Sequence, residues 1–211
     1  MTPRLNTKPV ACLLVALCFL GCASRLVHAM EFPGPAPGEA TARLEDGRLV
    51  LENSAVKAVW NVGDGPFRLL EVVDKMSQNT LHSPSYIEKG LFLHLFYGQR
   101  VTLGQVRLVG KPSIERLEGE PGALPASQRF AGWKVTVPTT CGDEEGVAVE
   151  WRLTIRDGAN YVRQEAIIRS EFPALDVNIL RLKAPGARVV GEVPGSPVVA
   201  GNFFFACESP L

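Results

Sequence analysis

Val147-Ala148-Val149-Glu150-Trp151-Arg152-Leu153-Thr154-Ile155 is the stretch that decides the fold. Val147, Val149, Trp151, Leu153 and Ile155 fall on one side of an extended chain, while Glu150, Arg152 and Thr154 fall on the other. A period of two held over nine residues is incompatible with an amphipathic helix, whose apolar positions recur every three to four residues. The segment therefore reads as a strand with one buried and one wet face. Asp157-Gly158 turns it into residues 161–170, an antiparallel partner.

The same grammar recurs toward the amino terminus. Leu44 and Leu49-Val50-Leu51 flank Asp46-Gly47, a dipeptide suited to the type I′ turn, which needs positive φ at both central positions. Val56, Ala58, Trp60 and Val62 alternate with Lys57 and Asn61. Gly63-Asp64-Gly65 then reverses the chain, and residues 67–73 return it. Further strands are expected at 91–97, 105–109, 133–137, 177–183, 188–193 and 198–205. Twenty glycines and sixteen prolines in 211 residues disfavour long helices and suit short strands joined by tight turns. The predicted class is all-β, a large antiparallel β-sandwich. The apolar run at 197–205 reads as a buried strand close to the last residue, so the chain is expected to be truncated at its carboxyl end.

Arg4 and Lys8 precede an apolar run at 10–20, too short for a membrane-spanning helix of about 20 residues. Val27-His28-Ala29 supplies small residues at the −3 and −1 positions of a cleavage site, so residues 1–29 are expected to be a signal peptide and the chain to be exported. Phe19-Leu20-Gly21-Cys22 carries a competing reading, a lipoprotein held through Cys22. Residues 30–41, with Pro33, Pro35 and Pro37 alternating, read as a Pro/Gly-rich spacer, and residues 42–211 as the domain. Removing the leader takes away three cations and no acid, leaving 19 basic against 22 acidic groups, a net of −3. That balance and the lack of a Lys/Arg run argue against nucleic acid as a partner. No transmembrane segment is expected in the mature chain.

Leu49-Val50-Leu51-Glu52-Asn53-Ser54-Ala55-Val56-Lys57-Ala58-Val59-Trp60, with Gly65, residues 69–74 and residues 75–81, resembles the opening of galactose-mutarotase-like supersandwich domains. Gly191-Glu192-Val193-Pro194-Gly195-Ser196-Pro197, with Gly201-Asn202-Phe203-Phe204-Phe205 and Glu208, resembles the end of the amino-terminal domain in secreted α-galactosidase-like glycoside hydrolases, where a (β/α)8 barrel follows. The resemblance implies a carbohydrate-associated accessory domain. It would pack beside a catalytic barrel absent from this chain and would not be catalytic alone. A self-standing envelope or surface protein-interaction domain is the competing function.

Candidate carbohydrate-binding residues follow from side-chain chemistry. Glu208, after an aromatic strand, can accept hydrogen bonds from sugar hydroxyls. Trp133, beside Ala131-Gly132, and Tyr97, before Gly98-Gln99-Arg100, can stack on a pyranose face, whereas Trp60 and Trp151 are in phase with aliphatic neighbours and read as core. Cys141 and Cys207 either pair in an oxidising compartment or stay as buried thiols. His82 and His94 are too far apart in the pattern for a zinc site, and Asp143-Glu144-Glu145 reads as a solvated loop rather than a calcium site. No catalytic residue, metal or cofactor is assigned.

Overall fold

The computed structural model describes residues 35–82, 92–97, 100–141, 147–171, 176–178, 186–193 and 196–206. Among the described residues, fifteen strands and one short 3-10 helix (Ala126–Arg129) make up the regular structure, and there is no α-helix. The first five are β1 (Thr41–Glu45), β2 (Arg48–Glu52), β3 (Val56–Asn61), β4 (Arg68–Asp74) and β5 (Asn79–His82), joined in sequence order as an antiparallel meander. β6 (Phe92–Tyr97), β7 (Arg100–Leu108), β8 (Ser113–Leu117), β9 (Gly132–Cys141), β10 (Val147–Arg156), β11 (Arg163–Ser170) and β12 (Asp176–Asn178) form a second sheet. Its order is β11-β10-β9-β7-β6-β12, with β8 also on β9. β13 (Arg188–Val189), β14 (Val198–Ala200) and β15 (Phe203–Phe205) make a small third sheet.

The first turn has the expected form. Glu45 pairs with Arg48 across a two-residue loop, and Asp46 and Gly47 take φ of 47° and 72°. Both central residues are left-handed, as a type I′ turn demands. Gly47 also lies against Gly63, where a Cβ would sit 2.9 Å from the Gly47 Cα. Glycine at these two positions lets the β1–β2 and β3–β4 turns touch.

The two large sheets bury one face of each against the other. Leu49, Leu51, Ala58, Trp60 and Phe67 from the first meet Val106, Val135, Val137, Val149, Trp151, Leu153 and Ile155 from the second. Trp151 is 1% exposed and its ring centroid lies 5.8 Å from that of Phe67. The alternation along 147–155 is thus realised: the apolar positions enter the inter-sheet layer, and the polar ones line the outer face. Trp60, 2% exposed, belongs to the same layer.

The structure corrects several expected boundaries. β7 starts at Arg100 rather than 105, and β9 runs on to Cys141. The β7 and β8 strands share one edge of β9: Val106–Leu108 face Cys141–Thr139, while Ser113–Leu117 face Thr136–Gly132. They act as one long strand interrupted at Gly110 and Pro112, because proline cannot donate to a ladder. Residues 197–205 are not one buried strand. Gly201-Asn202 folds them into a hairpin, with Gly201 at φ 58° in the first central position, the placement a type II′ turn favours. The strand expected at 188–193 stops at Val189. Gly191, at φ 138°, begins a turn closed by Ser196 Oγ on the Val193 carbonyl.

The end of the expected spacer joins the domain. Ser54 donates from its backbone N–H to the Pro37 carbonyl at 2.9 Å, Gly158 donates to the Gly38 carbonyl at 2.8 Å, and Ala40 is buried in the core. Proline's missing donor does not prevent this, since Pro37 serves here only as an acceptor.

Candidate functional site

Among the described residues, a polar constellation that links both large sheets lies at one end of the sandwich, around the turn after β10. Asp157 Oδ1 accepts the Ala40 N–H at 2.8 Å, and Asp157 Oδ2 accepts from the Arg116 guanidinium at 2.9 Å. Arg116 also lies over the Trp133 ring, 5.1 Å from its centroid, and the Trp133 indole N–H donates to the Ala40 carbonyl at 2.9 Å. Each partner comes from a different strand or turn. Strand pairing sets Arg116 opposite Trp133, while the tight Asp157-Gly158 reversal brings the carboxylate back toward β8.

Trp133 is half-buried, with one side of the ring packed on the core and the other under Arg116. The cation–π contact and the ion pair to Asp157 hold the guanidinium in place. A pyranose stacking on Trp133 would have to displace it.

Tyr97 ends β6 opposite Arg100, at the start of β7. Because only the far end of β7 meets β9, Tyr97 and Trp133 lie on the order of 40 Å apart along the strand direction at about 3.3 Å per residue. They do not share a sugar subsite. Glu208 and Cys207 lie outside the described residues. Cys141 ends β9 opposite Val106, so a Cys141–Cys207 bridge is not described. Asp143-Glu144-Glu145 also lies outside the described residues. Among the described residues, no group of three His, Cys, Asp or Glu side chains is placed to hold a metal ion, and no helix is long and apolar enough to cross a membrane.

The Leu51-Glu52-Asn53 motif has clear structural roles. Glu52, whose side chain is 16% exposed, receives Arg43 and the Lys75 ammonium. Burial pushes its carboxyl upward, but the hydrogen bonds from Lys75 and Arg43 outweigh burial and hold its pKa below the ordinary carboxylate value. Arg43 is correspondingly held above its usual value, first by its bond to Glu52. Asn53 is buried. Its Oδ1 accepts the N–H groups of Ala55 and Val56 at 2.9 and 3.0 Å, and its Nδ2 donates to the Ala159 carbonyl at 2.6 Å. One amide thus shapes the β2–β3 turn and ties it to the β10–β11 connection of the opposite sheet.

Asp74, the last residue of β4, caps the next turn. Its pKa is lowered chiefly by the Ser77 hydroxyl; burial opposes this, and the Ser77 and Met76 N–H groups and the Asn202 side chain add to the lowering. Asn202 sits at the tip of the β14–β15 hairpin, so this bond, at 3.4 Å, links the third sheet to the first. The third sheet exposes Val189 on one face and Phe204 on the other, 63% and 66% exposed, and Val193 in the connection after β13 is 70% exposed.

Sequence reasoning missed Arg116 and Asp157, because β8 has no apolar alternation and Asp157 reads simply as a turn residue. No family model, curated protein or solved structure matches this chain.

Proposed function

We propose that this chain is an exported, carbohydrate-associated accessory domain that packs beside a glycoside-hydrolase-like catalytic barrel. The observation that carries the reading is exposed apolar surface on both faces of the third sheet, Val189 on one and Phe204 on the other, with Val190 and Val193 exposed in the connection after β13. Side chains of this size left in water favour coverage by another surface, at about 25 cal/mol per Å² buried. Val193 and Phe204 fall in the stretch that resembles the junction between a supersandwich and its barrel, and Val189 and Val190 directly precede it. The engagement of Glu52 and Asn53 in holding the sandwich together fits their place in the other matching segment, as fold determinants rather than chemical groups.

Recovering the native polypeptide from its source, with an antibody to this domain, tests the proposal. Aryl-glycosidase activity should accompany the recovered material and be absent from the chain purified alone. Turnover by the chain alone, abolished by Glu208→Gln, would make it an enzyme in its own right. Absence of activity from both would favour the protein-interaction domain.

A further inference from the structure

The outer face of the second sheet has a charge excess that the rest of the mature chain opposes. Cross-strand register sets Glu115, Lys134, Thr154 and Arg163 in one row and Ser113, Thr136, Arg152 and Glu165 in the next. Glu150 pairs with Ile167 in a third row, Arg107 and Arg169 flank a fourth, and Arg156 stands opposite Gly132 at the end. Six cations therefore share this face with these three carboxylates and with Asp176, which register through β6 and β7 sets on the same face, a net of +2 on a mature chain that sums to −3. Its side chains in β8 to β11 are exposed or half-buried, because their alternate neighbours fill the inter-sheet layer.

The three carboxylates show how these cations engage an anion. Lys134 holds Glu115 at 2.7 Å, Arg152 holds Glu150 at 2.7 Å and Arg163 holds Glu165 at 3.2 Å. Arg156 spends its donors on the carbonyls of Phe130 and Glu118, which leaves its charge without a carboxylate in those bonds. Thr136 and Thr154 add hydroxyls between the charged positions.

We propose that this face docks a polyuronate, an extended polysaccharide carrying carboxylates at regular intervals. Its carboxylates would make the pairs that Glu115, Glu150 and Glu165 already make, and its hydroxyls would meet the threonines. Charge complementarity selects the partner, and cations spread over several strands suit a chain laid across them. The inference rests on the carbohydrate-associated reading and specifies its ligand class.

Titrating the mature chain with polygalacturonate, a neutral galactomannan, poly-glutamate and a DNA duplex tests it. Polygalacturonate should bind best and weaken about tenfold between roughly 50 and 300 mM NaCl, as screening reaches the exposed pairs. Lys134→Gln/Arg152→Gln/Arg163→Gln should lose about tenfold in affinity, the sum of three modest exposed pairs. If that variant does not fold, Arg152→Gln and Arg163→Gln singly should each lose about threefold. Equal binding of galactomannan, or unchanged binding by the variants, would overturn the docking face while leaving the carbohydrate reading intact. Preference for poly-glutamate or DNA would overturn the polyuronate, and no binding to any glycan would overturn both.

Discussion

On the outer face of the first sheet, Arg43 bonds Glu45 and Glu52, Lys75 bonds Glu52, and Lys57 bonds Glu71 at 3.0 Å. On the outer face of the second sheet, pairs of similar length leave a surplus of cations. The difference lies in what surrounds the charges. Val50 and Val59 sit opposite each other on the first outer face and are buried there, among charged side chains whose stems cover apolar surface. Around the charges of β8 to β11 on the second outer face, the alternate positions are Thr136, Pro138, Thr154, Ala148 and Ile167, all exposed or half-buried, while the apolar Phe92, Phe96, Val101 and Leu103 of that face belong to β6 and β7. Charge on the first face serves the fold, and charge on the second faces a partner.

Both faces depend on one shared layer, so the largest effect should come from its centre. Trp151→Ala should cost about 3–5 kcal/mol and lower the denaturation midpoint of both sheets together. Separate transitions for the two sheets would break the comparison at its base. Asn53→Ala should cost about 2–3 kcal/mol, since it orphans two buried N–H groups and cuts the tie to Ala159.

Glu52→Gln should cost about 1–2 kcal/mol in denaturant titrations near neutral pH. Its pH dependence sharpens the point. The Glu52 carboxyl has a lower pKa in the fold than in the unfolded chain, so its stabilisation is complete above the ordinary carboxylate value. That contribution fades as pH falls through the folded value, and the variant should lose this part of the acid dependence. The smallest effect on stability belongs to the second face: Lys134→Gln/Arg152→Gln/Arg163→Gln should change unfolding free energy by less than about 1 kcal/mol. A loss as large as that of Glu52→Gln would mean that the second face also serves the fold.

The sequence made legible what depends on neighbours along the chain. Asp46-Gly47 announces its turn because few dipeptides accept two left-handed residues, and 147–155 announces its strand because burial alternates with the pleat. β8 escaped because it lies at a margin where Ile114 and Arg116 remain exposed, so no apolar rhythm marks it. β5 escaped for the same reason. The Gly201-Asn202 hairpin was hidden inside an apolar run that reads equally well as one strand. The cluster around Asp157 was the least legible: Ala40 and Asp157 are 117 residues apart, and the bond exists only because two sheets meet there. Trp133 was legible as an aromatic at a glycine-flanked edge, but its cover by Arg116 was not.

The central claim, an accessory domain that handles carbohydrate, is tested most directly by calorimetric titration of the chain from residue 30 onward with neutral and uronate-bearing glycans. The account predicts saturable binding to at least one glycan, with a rise in melting temperature of the sandwich at saturating ligand. A well-folded chain that binds none of them would contradict it.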